Sequence, residues 1–153
     1  MSRPPSPRTL ADWQARAAEL SFESRAFIDD AFVAAESGDT FESRNPATGE
    51  ILAQVASCDE PDAARAVAAA RQAFAGGEWS RLAPGRRKKT LLRLADLMEA
   101  HKHELALLDT LDMGKPISSS LGDMNGAIGC IRYQAECIDK LYGEVAPTGE
   151  ETL

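Results

Sequence analysis

The strongest constraint on this chain is an apolar register near its end. Leu121, Met124, Ile128, Ile131, Ala135, Ile138 and Tyr142 recur at alternating spacings of three and four over six intervals. That period is the helical repeat, and it predicts one long helix buried along a single seam. The neighbouring face runs Asp123, Ala127, Cys130, Gln134 and Cys137. Gly122, Gly126 and Gly129 each cost such a helix on the order of 1 kcal/mol. That cost predicts close approach by another element or by a ligand, with helix packing the favoured cause.

Upstream the same period recurs in shorter runs. Thr9 followed by Asp12 resembles a capping box, and Leu10, Trp13, Ala17 and Leu20 give a stripe, so a helix is expected over 9–20. "AFI" and "AFV" flank Asp29-Asp30, and "TFESR" and "EILAQVA" flank "NPATG". Alternating segments joined by such turn chemistry predict two small β-hairpins or a short meander. Asp59 caps a second helix that holds Pro61 in its first turn, buries Ala63, Val67, Ala70 and Phe74, and stops at Gly76-Gly77. A third helix starts at Pro84 with Leu91, Leu94, Ala95 and Met98 inward, and another is expected over 102–113. Gly114 and Pro116 then end the helical run.

Composition narrows the class of partner. A chain of 153 residues buries roughly 70% of the surface it exposes when unfolded, enough for one real core. A net charge of −7 argues against nucleic acid and anionic membranes as partners. No window has the length and apolarity of a membrane span, and "MSRPPSPRTLADWQ" makes a poor secretory signal. Cys58, Cys130 and Cys137 suggest a reducing compartment, hence a cytoplasmic location. Cys130 and Cys137 are two helical turns apart, about 10 Å, too far for a disulfide, and are expected as small core residues.

Few residues carry a chemical signature. Neither G-x-G-x-x-G nor G-x-x-x-x-G-K-[ST] occurs. The one basic run, "GRRKK" at 85–89, points all round a helix axis and reads as a solvated helix start. His101 and His103 are two apart and face different sides of a helix, unlike a helical metal pair. Ser118, Ser119 and Ser120 follow Pro116 and read as caps. Asp112 is the anomaly. It shares a helical face with Leu105 and Leu108, in a last turn where the helix dipole disfavours negative charge. Two explanations stay open: a carboxylate held by backbone N–H groups or Lys115, or a cation ligand. Asp123 by itself reads as surface.

Four stretches, "FESRNPATGEILAQVA", "AARAVAAARQAF", "LLRLADLMEAHKHELALLDTLDMGKPI" and "IRYQAECIDKLYGEV", resemble the amino-terminal part of the aldehyde dehydrogenase superfamily. Within it, "LADWQARAAEL" and "LADLMEAH" are similar to the γ-glutamyl-γ-aminobutyraldehyde dehydrogenases of putrescine breakdown. The resemblance implies an α/β fold whose full chain is much longer than this one. Here it is mostly α-helical with a small amino-terminal antiparallel β-layer. Residues 1–8 would be a flexible start, 9–142 the amino-terminal portion of a Rossmann-like NAD-binding domain, and 143–153 the first strand of an oligomerisation arm. It further implies NAD or NADP as cofactor, a small-molecule aldehyde as substrate, and a homo-oligomer, dimer or tetramer, when intact.

The family's chemistry runs through a cysteine nucleophile, a glutamate that activates water, and cofactor-binding residues, all downstream of Leu153. None of the three cysteines here has the nucleophile's context, so this chain alone is expected to be inactive, with no catalytic or cofactor-binding residue of its own. Two features carry over. One is a partial monovalent-cation site at Asp112 with a backbone carbonyl of Ser43 or Arg44. The other is a substrate funnel at Asp123 and Ala127, where an acid near Asp123 receives the amine of aminoaldehyde substrates. Met113 departs from the Thr, Asn or Cys common at its position. The competing expectation is a non-catalytic helical module that binds a protein partner through the apolar face a missing sheet would cover.

Overall fold

Thr9 opens the first helix as expected: Asp12 N–H donates to its hydroxyl while the Asp12 carboxylate accepts from the Thr9 N–H, closing a capping box. The structure, a computed structural model, describes residues 7–140. Residues 1–6, Tyr142 and the strand expected over 143–153 lie outside the described residues. In chain order the elements are α1 Leu10–Glu19, β1 Ala26–Ile28, β2 Ala31–Val33, β3 Thr40–Arg44, β4 Ile51–Ala56, α2 Glu60–Gly76, α3 Pro84–Met113 and α4 Ile117–Cys137.

Both expected hairpins form. β1 and β2 pair antiparallel around Asp29 and Asp30, whose φ values of 54° and 60° are those of a tight two-residue hairpin turn. β3 and β4 pair from Thr40 opposite Ala56 to Arg44 opposite Ile51, with an irregularity between Ser43 and Arg44. The end of β4 is tied to the segment just before β1 by Ala56 N–H donating to the Ser24 carbonyl. α2 begins at Asp59 and ends on Gly77 in the left-handed region, as the sequence predicts.

Several expectations fail, Leu94, 44% exposed rather than inward, among them. First, the two helices expected between Pro84 and Met113 are one helix of 30 residues, about 45 Å long. Nothing from Arg86 to Met113 is a helix breaker, so the period change that suggested a boundary does not interrupt the backbone. Second, the apolar face of α2 is open: Val67 is 50% and Phe74 74% exposed, and Ala63 and Ala70 are exposed too. The residue that α2 buries is Asp62, 1% exposed. Its carboxylate accepts from the Glu36 N–H at 3.2 Å and the Asp59 N–H at 3.4 Å, and Arg65 lies 3.4 Å away. Third, a Cβ built on Gly122, Gly126 or Gly129 meets nothing within 4 Å, so no described element approaches them. Cys130 on that face is likewise exposed rather than in the core.

The core lies between α3 and α4. Ala95, Ala106 and Leu107 of α3 face Ser120, Ile128 and Ala135 of α4, all buried. The apolar register from Leu121 to Ile138 is therefore the seam, with Ile128 and Ala135 fully buried and the others half-buried. Ser120 is no cap: Pro116 takes that position, and the fully buried Ser120 hydroxyl bonds Thr110 Oγ1 at 2.8 Å. At the far end of the pair Lys88, from the basic run, reaches Glu136 at 2.7 Å and Asp139 at 3.1 Å on the α4 side. Those carboxylates hold its ammonium above the usual lysine range.

Candidate functional site

The two signature motifs, far apart in sequence, meet in space. "N-P-A-T-G" closes the β3–β4 hairpin: the Asn45 side chain accepts from the Ala47 N–H at 2.9 Å, and Gly49 takes a φ of 75°. "D-M-G-K-P" ends α3, with Gly114 at a φ of 76° donating its N–H to Thr110. A Cβ on Gly114 would lie 2.6 Å from Pro46 Cγ. Glycine is required there twice over, for its left-handed φ and for the approach of the turn.

That contact places Ser43 beside Asp112. The Ser43 hydroxyl donates to Asp112 Oδ1 at 2.8 Å. Leu105 and Leu108 are half-buried as expected, but Asp112, one turn further on, is exposed. Its carboxylate is not buried against an apolar face; it lies at the rim of a cavity of about 320 Å³. Phe22, Leu52, Val55 and Leu108 give the cavity apolar walls, and Glu23, Asp109 and Asp112 give it acidic ones. Glu23 is committed to Arg25 at 2.7 Å, and that hydrogen bond holds it down to about 2. Arg44 turns its side chain away, to Glu42 and to the Gly49 carbonyl. Ser43 and Asp112 are thus brought together. The expected backbone-carbonyl contact is here a side-chain one, a hydroxyl bonded to a carboxylate, and both groups are hard oxygen donors. Among the described residues no three His, Cys, Asp or Glu side chains converge as a metal site.

Lys115 does not hold Asp112, as one of the two explanations had it. Once Gly114 stops α3, the lysine folds back, and its ammonium bridges Asp109 at 2.6 Å and Asp123 at 2.5 Å. The two carboxylates, Asp109 first, raise the lysine's pKa above its ordinary value. Asp123, on α4, is 63% exposed and reads as surface in the structure as in the sequence. Ala127 follows four residues later on the same helical face and is half-buried. Asp109 is a site residue that does not stand out in the sequence. One signal was available: Asp109, Asp112 and Lys115 lie three apart across a helix end, where a lysine beyond the cap can reach back. The histidines part company as predicted: His101 meets Glu104 at 3.3 Å, while the His103 ring packs edge-on against Trp13 of α1.

No described helix is long and apolar enough to cross a membrane. Residues 32–153 match the model of the aldehyde dehydrogenase family. The NADP/NAD-dependent aldehyde dehydrogenase PuuC of Escherichia coli is 50% identical over 145 residues, 94% of this chain and 29% of that protein. The aminoacetaldehyde dehydrogenase of Pseudomonas aeruginosa is 50% identical over 143 residues, 93% of this chain and 29% of its own. Among solved structures, γ-glutamyl-γ-aminobutyraldehyde dehydrogenase from Burkholderia cenocepacia superposes with a TM-score of 0.90 at 52% identity, over 93% of this chain and 29% of that one. The indole-3-acetaldehyde dehydrogenase AldA of P. syringae, solved with NAD+, gives 0.91 at 54%, over 94% and 29%. The chain therefore spans 29% of the length of these relatives. Its α/β architecture, mostly helical here with two small antiparallel hairpins, is theirs over the shared residues. Both signature turns, their contact through Gly114 and Pro46, and the family match across most of the sequence converge on one statement: this chain belongs to the aldehyde dehydrogenase family.

Proposed function

We propose that the whole protein oxidises an aldehyde to a carboxylic acid with NAD or NADP, that its substrate is an aminoaldehyde of polyamine breakdown such as that of putrescine, and that it works as a homo-oligomer, a dimer or tetramer. The observation that carries the substrate class is at Asp123. An exposed carboxylate there already binds one alkylammonium, that of Lys115, at 2.5 Å. The charge and reach that hold a lysine suit the amine of a substrate. Ala127, on the same face, is the second position assigned to the substrate funnel, its small side chain suited to an alkyl chain. Relatives named for aminoacetaldehyde and for γ-glutamyl-γ-aminobutyraldehyde support the same class. Cys58, Cys130 and Cys137 lack the context of the family's nucleophile, and no phosphate-cradling glycine motif is present. The part assigned here to this chain's residues is recognition of the far end of the substrate.

Asp123→Ala in the whole protein is expected to raise KM for an aminoaldehyde much more than for a neutral aldehyde of similar size. Equal changes for both would sink amine recognition. We also assign Ser43 and Asp112 to a monovalent cation, with Arg44 contributing at most its backbone carbonyl. Asp112→Ala should weaken the response of activity to potassium or sodium, and an unchanged response would remove the site.

A further inference from the structure

We propose that Lys115 is an internal stand-in for the substrate amine: its ammonium neutralises Asp123 until an aminoaldehyde arrives, then rests on Asp109 alone while the substrate takes Asp123. The inference rests on Asp123 receiving the amine and adds what competes for it and where the competitor goes.

Three observations carry it. The lysine has two carboxylate partners at nearly equal distance, 2.6 Å to Asp109 and 2.5 Å to Asp123, and they belong to different helices. The partners are unlike in exposure. Asp109 is 21% exposed and Lys115 25%, whereas Asp123 is 63% exposed. The half-buried pair is screened less by salt and persists, and the solvent-facing partner is the exchangeable one. The charges also count in favour of exchange. Two carboxylates and one ammonium leave the cluster one negative charge in excess, and a cationic substrate completes two pairs and leaves none unpaired. No backbone movement is needed. Position 115 is pinned between Gly114, seated against Pro46, and Pro116, which caps α4. The swing is confined to a flexible four-carbon stem.

Lys88 shows what a purely structural clamp looks like in this molecule. Its carboxylates, Glu136 and Asp139, lie three residues apart at one helix end, and Lys140 pairs with both as well, so that cluster holds no negative charge in excess.

The test compares kcat/KM for a short ω-aminoaldehyde with that for a neutral aldehyde of equal length, in the whole protein. Lys115→Met should raise the amine-to-neutral ratio roughly two- to fivefold, the range an exposed ion pair commands. Asp109→Asn should lower the ratio by a similar factor, because the lysine then has Asp123 as its sole partner. With Asp123→Asn in place, Lys115→Met should shift nothing. Shifts of the same sign in the first two variants, no shift in either, or a shift that persists without Asp123 would each overturn the proposal. Should Lys115→Met fail to fold, inhibition by n-propylammonium in the unsubstituted protein and in Asp109→Asn decides: weaker inhibition in the variant supports the exchange, and equal inhibition overturns it. Asp123→Asn alone separates the two readings. If it leaves the ratio unchanged, amine recognition at Asp123 falls and this inference with it. If it collapses the ratio while the Lys115 and Asp109 variants do not diverge, the lysine exchange alone falls.

Discussion

α2 and α4 carry the same kind of sequence signal and meet opposite fates. Both repeat apolar residues every three or four positions. In α4 the repeat is buried against α3, with Ile128 2% exposed and Ala135 fully covered. In α2 the repeat faces outward, and the helix is anchored by an acid, Asp62, which gathers the N–H groups of Glu36 and Asp59. Periodicity therefore encodes which face of a helix is apolar, and says nothing of whether a partner lies within the same stretch of chain. α4 finds its partner immediately upstream, through a short turn at Gly114, Lys115 and Pro116. No described element packs against the open face of α2.

The comparison predicts a hierarchy of mutational costs. Ile128→Ala should destabilise the 153-residue chain by about 3 kcal/mol in urea denaturation, whereas Phe74→Ala should stay within about 0.5 kcal/mol. A Phe74 cost as large as that of Ile128 would mean that the α2 face is covered in solution and would erase the contrast. Asp62→Ala should cost about 1–3 kcal/mol, since it leaves the Glu36 N–H without its acceptor. A neutral result would show that α2 is anchored by something other than this carboxylate.

The smallest effect is expected at α1, which buries no residue and depends on its cap. Hydrogen bonds from the Arg8 and Thr9 N–H groups hold the Asp12 carboxyl below its ordinary value of 3.8. A depressed carboxylate stabilises above the unfolded pKa and loses that contribution as pH falls through the folded one. α1 should accordingly fray on acidification below about pH 4, read as faster amide exchange at Trp13, while α4 amides stay protected. Asp12→Asn should abolish this pH dependence, and a dependence that survives would place it elsewhere.

Much of the local structure was legible before any fold was seen. The Thr9–Asp12 box, the Asp29-Asp30 and "NPATG" turns, the Asp59 start of α2 and the Gly114 end of α3 are each set by residues within a few positions of one another. Ser118–Ser120 misled because Pro116 already occupies the cap, and Ser120 turns inward to Thr110. The helix glycines misled because the cost of a glycine in a helix shows that something local is conceded without naming its cause.

The functional residues divide along the same line. Asp112 stood out as an acid at odds with its helix, and the family resemblance placed Ser43 near it. The hydroxyl as the contacting atom, the exposure of Asp112 and the role of Asp109 came from the fold. The sequence by itself determined caps, turns, helical faces and family membership, because these depend on short-range backbone chemistry and on motifs that survive as strings of residues. Tertiary structure alone decided that Lys115 bridges two acids on different helices, that the "N-P" turn seats against Gly114, and that one apolar face is covered while its twin is open. Those outcomes depend on which distant surfaces come together, and that follows from packing across the whole chain rather than from spacing along it.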